Sequence, residues 1–125
     1  MTVEQALYQF WAGFGCEAYQ EDSVPTGTDK PTYPYITYEL QTGSFGQAIP
    51  LSVSVWSRST SLAEVIGIAN SIKAAISRGG VGLKTDDGGI RLWLGDPQIR
   101  FSGESSDDMV KRAIINIMAE FITEV

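Results

Sequence analysis

The hydrophobic period of this chain changes from two to 3.6 at residues 59–61, and that change divides a strand from a helix. Before it, Ile49, Leu51, Val53 and Val55 alternate with Ser52, Ser54, Trp56 and Arg58, the pattern of a strand over 49–58 with one apolar face. Residues 35–42 alternate too, with Ile36, Tyr38 and Leu40 on one side and Tyr35, Thr37, Glu39 and Gln41 on the other. Gly43, Ser44 and Gly46 mark a turn between the two runs, so they are expected to form a hairpin. After the change, Leu62, Val65, Ile66, Ala69, Ile72 and Ile76 recur at helical spacing. Ser61 with Glu64 three residues on reads as a capping box, and Gly79 and Gly80 as a left-handed C-terminal cap. One long helix over about 61–78 follows.

The rest of the chain fills in around this core. Val3, Ala6, Leu7, Phe10 and Trp11 make an amphipathic N-terminal helix, with Thr2 and Gln5 as its capping box, and residues 16–20 read as a short strand. Residues 21–34 hold three prolines and are expected to be a long, flexible loop of the kind that carries contacts. Residues 81–85 and 90–94 flank Asp86, Asp87, Gly88 and Gly89, which read as a hairpin turn. Asp96-Pro97 is expected to break the second of these strands, with another short strand at 99–101 and a loop at 103–108. Residues 109–123 fit either element. As a helix, Val110, Ala113, Ile114, Ile117, Met118 and Phe121 form a stripe; as a strand, Ala113, Ile115, Ile117, Ala119 and Phe121 form an apolar face. The isoleucines lean towards strand.

The predicted architecture is therefore α+β, a single domain over 1–125 with an antiparallel sheet on which the N-terminal helix and the long helix are packed. A length of 125 residues and a hydrophobic content of 43% suit one domain with a sizeable core. A net charge of −6 and scattered basic residues speak against a nucleic-acid groove, which needs clustered Lys and Arg. Cys16 is the one cysteine, so no internal disulfide forms, and it reads as a structural thiol. Neither a signal peptide nor a membrane-length apolar run is seen.

The residues that announce catalysis are missing. There is no histidine, and the carboxylate pairs Asp86-Asp87 and Asp107-Asp108 sit among turn residues without the spacing of a calcium loop. The run Gly79-Gly80-Val81-Gly82 follows a helix instead of preceding one, so it does not cradle phosphate. No cofactor, metal or catalytic residue is expected. Trp56 and Trp93 fall on outward faces, Trp56 beside Arg58, and aromatics with arginine are the material of interfaces unless a helix covers that face.

The segment YPYITYEL, the turn with Phe45-Gly46, the strand ending WSRSTSLAEV that runs into the helix, and the close SSDDMVKRAIINIMAEFIT together resemble the tail terminator proteins of long-tailed bacteriophages and prophages, the lambda-type group. The resemblance covers nearly the whole length. It implies that the last segment is a strand, and that the protein is a non-enzymatic virion component assembled in the host cytoplasm. It also implies a hexameric ring that stops the tail tube, binds the tube protein and receives the head-completion or connector protein, with DNA passing through unheld and no membrane involved. Interface candidates by region are Pro25 and Lys30 in the 21–34 loop, Trp56, Arg58, Trp93, Asp86 and Asp87 in the 86–89 turn, and Asp107 and Asp108 in the 104–108 loop. Some of these four aspartates are expected to face the lumen, where negative charge repels DNA. Another neck or tube-like subunit remains an alternative, as does a ligand-binding domain or enzyme with a pocket lined by Tyr35, Tyr38 and Trp93.

Overall fold

A computed structural model describes residues 2–26, 30–41, 47–76, 79–86, 88–104 and 107–123, with the side chains of 103, 104, 107, 108 and 123 outside the description. Helix α1 spans Val3–Trp11 and helix α2 Ala63–Ile76. The strands are β1 Glu17–Gln20, β2 Tyr35–Tyr38, β3 Ala48–Arg58, β4 Val81–Thr85, β5 Gly88–Glu104 and β6 Asp107–Thr123. They form one sheet in the order β1-β2-β3-β6-β5-β4.

This corrects the expected α+β architecture. About half the chain is strand, the sheet curls into a half-barrel, and the two helices are short. The sheet is also mixed, because β1 and β2 run parallel, Glu17 opposite Tyr35 through Gln20 opposite Tyr38. That pairing explains the long polar segment at 21–34. Parallel neighbours cannot be joined by a tight turn and need a dozen or more residues to return to the same end of the sheet. The segment starts with a 3-10 turn, Glu21–Ser23, and its residues 27–29 lie outside the described ones.

The other strand pairs are antiparallel, including the expected β2–β3 and β4–β5 hairpins. Residues 109–123 are strand, as the final part of β6, at the centre of the sheet between β3 and β5. Ala113, Ile115, Ile117, Ala119 and Phe121 all lie on its buried face. A helix would have placed Ile115 off the stripe and left it wet. Asp96-Pro97 does not end β5; the strand absorbs it as a bulge between Leu94, opposite Ile117, and Ile99, opposite Ile115. Asn116 secures the bulge by donating from Nδ2 to the Pro97 carbonyl at 2.7 Å. The expected loop at 103–108 likewise shrinks, since β5 runs to Glu104 and β6 starts at Asp107.

One face of the sheet carries the core. Ile36, Val53, Val55, Ile90, Leu92, Ile115 and Ile117 meet Leu7 and Trp11 of α1 and Val65, Ala69, Ile72 and Ile76 of α2. The α1 capping box is present, with Thr2 Oγ1 accepting from Gln5 N and Gln5 Oε1 accepting from Thr2 N. At α2, Ser61 Oγ accepts from Ala63 N. Leu62 and Ile66, expected in the buried stripe of α2, are exposed at 37% and 38%. The curl of the sheet meets only the Val65-Ala69-Ile72-Ile76 side of this helix. Gly80 has φ +85°, and a β-carbon there would lie 2.7 Å from the Leu92 carbonyl oxygen.

Candidate functional site

Strand alternation sends the second side-chain row of each strand to the face away from the helices. Across the first four strands this outer face holds Glu17 and Tyr19, Tyr35 and Thr37, Trp56 and Ser54, and Arg112 and Ile114, in cross-strand register. Further along it are Asn116, Met118 and Glu120 of β6, with Trp93 and Arg91 of β5. Among the described residues no helix or strand lies on this face.

The Trp56 region is tightly built. Tyr35 stacks on one side of the Trp56 ring, 6.2 Å between centroids at an interplanar angle of 16°, and the Arg112 guanidinium lies over it at 4.5 Å. Trp56 Nε1 donates to Thr37 Oγ1 at 3.0 Å, and Arg112 donates from Nε and Nη2 to Ser54 Oγ at 3.1 and 2.9 Å. Tyr19 and Tyr33 set their rings against Tyr35. Burial pushes the Tyr35 phenol up, and the neighbouring Tyr33 and Tyr19 phenols add to the shift, so the Tyr35 hydroxyl stays protonated at neutral pH. The rings meet in mixed geometry, Tyr19 edge-on to Tyr35, Tyr33 tilted against it and Tyr35 stacked on Trp56, and together they offer a mixed apolar and polar surface.

The expected pocket of Tyr35, Tyr38 and Trp93 is not assembled. Tyr38 is buried on the face that carries Ile36, while Tyr35 and Trp93 belong to the outer face, with two strands between theirs. Trp93 is half-buried opposite Met118, with the Arg91 guanidinium 5.3 Å from its ring centroid. The hollows among the described residues are open depressions. Two of them, about 430 Å³ each, lie at the β4–β5 end and around Glu39, Asp96 and Asn116. Among the described residues no group of three or more His, Cys, Asp or Glu could hold a metal ion.

The remaining candidates scatter over the surface. Pro25 is half-buried and Lys30 exposed in the β1–β2 connection, Arg58 is exposed at the end of β3, and Asp86 is exposed in the β4–β5 turn. Asp87 lies outside the described residues, and Asp107 and Asp108 open β6. Trp56, Trp93 and Arg58 share the outer face, whereas Asp86 and the Asp107-Asp108 pair sit at opposite ends of β5. Sequence reasoning missed Arg112, the cation that holds Trp56. Its signal was present, a lone arginine in the half-polar row of an otherwise apolar strand.

A second missed feature is a bare strand edge. β4 pairs with β5 only from Gly88 to Leu92, so beyond Leu92 no described strand borders that side of β5. Residues 100–102 are exposed there, with Phe101 at 37%.

No protein-family model, curated protein or solved structure matches the chain.

Proposed function

We propose that this protein is a self-assembling virion component, a tail terminator that closes into a ring on the head-proximal end of a phage tail tube. The observation that carries the assembly reading is the bare edge of β5 with Phe101 exposed beside it. Native proteins cover, charge or shorten such edges, because an open ladder of N–H and C=O groups recruits another chain. Beyond the bulge at Asp96-Pro97 this edge runs over residues 99–104, and the half-apolar outer face around Trp56 and Trp93 adjoins it. Both features suit a subunit that is completed by its neighbours. The step from assembly to tail terminator rests on the sequence resemblance over YPYITYEL, WSRSTSLAEV and the closing strand.

The negative charge of the chain suits a ring through which DNA passes without being held. A tube-like subunit is the second reading, favoured by the same open edge if neighbours add without closing. The deciding experiment adds the purified protein to polymerising tail tube protein and follows tube length by electron microscopy. Short tubes with one capped end support the terminator. Long tubes built from this protein alone support the tube subunit, and unaltered tubes with no bound protein contradict both.

A further inference from the structure

The rows of the sheet run level from one bare edge to the other. Glu17, Tyr35, Trp56, Arg112 and Ser102 pair in turn across β1, β2, β3, β6 and β5, and the next row is Ala18, Ile36, Val55, Ala113 and Phe101. Tyr19 leads in the same way to Arg100, and Gln20 to Ile99. The four residues of β1 and residues 99–102 of β5 are therefore the two ends of the same four rows. Each end is open on its far side. β1 borders only β2, and β4 has ended before residues 99–102. Among the described residues neither stretch forms a backbone hydrogen bond outside its own ladder. β1 also runs opposite to β5, since it is parallel to β2 and three antiparallel pairs follow.

The side chains decide which edge suits which. On the outer face the β5 edge carries Arg100, exposed and without an ion pair among the described residues; Ile114 is opposite it, with Arg112 and Asn116 diagonal. Asp96, the nearest described carboxylate on β5, lies across the bulge in the hollow with Glu39. The β1 edge carries Glu17, exposed, and Tyr19. Two β5 edges face to face set their Arg100 side chains opposite or diagonal, and two β1 edges do the same with Glu17. Like charges so placed are destabilising. β1 against β5 instead sets Tyr19 opposite Arg100 with Glu17 diagonal to it, and brings the exposed Phe101 to the helix-bearing face beside the small Ala18. We propose that β1 of a second copy of this chain adds antiparallel to residues 99–102 of β5, from Glu17 opposite Ser102 through Gln20 opposite Ile99. The 3-10 turn Glu21–Ser23 then takes the added chain off the edge before the bulge. Rotation about an axis along the strands preserves both strand direction and level, so a cyclic assembly joins the rows in this register. The register rests on the proposed ring; the choice of edges does not.

Cysteine bridging tests edges and register together. In a Cys16→Ala background, Glu17→Cys and Ser102→Cys stand four strand spacings apart within one chain, roughly 19 Å along the sheet and too far to bridge internally. Between copies the proposed register sets them opposite. On mild oxidation with copper phenanthroline, this double variant is expected to give a ladder of covalent oligomers beyond the dimer on non-reducing gels. Glu17→Cys with Gln98→Cys, displaced along the strand, is expected to bridge much more slowly. Rapid dimers from either single variant would place like edges together and overturn the proposal, as would equal rates for the two pairs. Arg100→Glu is expected to raise the apparent Kd of association about tenfold in sedimentation velocity with an unchanged circular dichroism melt, and Glu17→Arg in the same chain to restore it. No loss, or no restoration, overturns the pairing, and so does a wild type that remains monomeric at every concentration. A covalent ladder from a protein that does not cap tubes upholds the contact and contradicts the tail terminator.

Discussion

Arg112 lies over the Trp56 ring at 4.5 Å and donates two hydrogen bonds to Ser54, so one side chain ties β6 to β3 through a stack and a fork together. Lysine cannot do both, because an ammonium lacks the planar fork. Arg112→Lys is expected to lower stability by about 1 kcal/mol in urea denaturation. An unchanged midpoint would mean that the pair is incidental to the fold.

Trp56 contributes through its indole N–H as well as its area. Trp56→Phe keeps most of the packing but leaves the buried Thr37 hydroxyl without its donor. The expected loss is about 1–2 kcal/mol. Adding Thr37→Val to Trp56→Phe should recover part of it, since both polar partners are then gone. A double variant less stable than Trp56→Phe would contradict this.

Ser57 is fully buried, and its Oγ has no hydrogen-bond partner among the described residues. Ser57→Ala is therefore expected to be neutral or to stabilise by up to about 1 kcal/mol. A loss of stability on this substitution would reveal a partner for the hydroxyl.

The two glycines after α2 are not equivalent. Gly80→Ala must hold a β-carbon at φ +85° and 2.7 Å from the Leu92 carbonyl, whereas a β-carbon on Gly79 meets nothing within 4 Å. Gly80→Ala is expected to cost about 2 kcal/mol or more and Gly79→Ala less than about 0.5 kcal/mol. Equal thermal shifts would refute the assignment.

Burial pushes the Cys16 thiol up, and the Glu17 and Glu64 carboxylates push it further. Less thiolate is present at neutral pH than on a free cysteine, so alkylation by iodoacetamide at pH 7.5 should be slower than that of glutathione. The sign for stability follows: the contribution is present while the thiol is neutral and declines as pH rises past its unfolded value. Alkylation as fast as that of glutathione would contradict the burial.

The strands and α2 were legible because their periods are clean, and the apolar row from Ala113 to Phe121 marked the buried face of β6. Pairing was less legible. Nothing in residues 16–20 distinguishes a strand that joins β2 in parallel from one that joins it antiparallel, and the polar 21–34 segment looked functional when its length answers a topological need. Proline read as a strand breaker at Asp96-Pro97 because a bulge held by Asn116, nineteen residues away, leaves no local trace. Leu62 and Ile66 have the spacing of core residues, and only the curl of the sheet leaves them outside. The outer-face cluster was half visible: Trp56 announced itself, whereas Arg112 needed the β3–β6 register to find its place.

Native mass spectrometry of the purified wild-type protein across a concentration series tests the central claim most directly. The account predicts a discrete closed oligomer, a hexamer, that grows at the expense of monomer without a ladder of larger species. A protein that stays monomeric throughout, or one that shows an open-ended ladder, would contradict a self-closing ring.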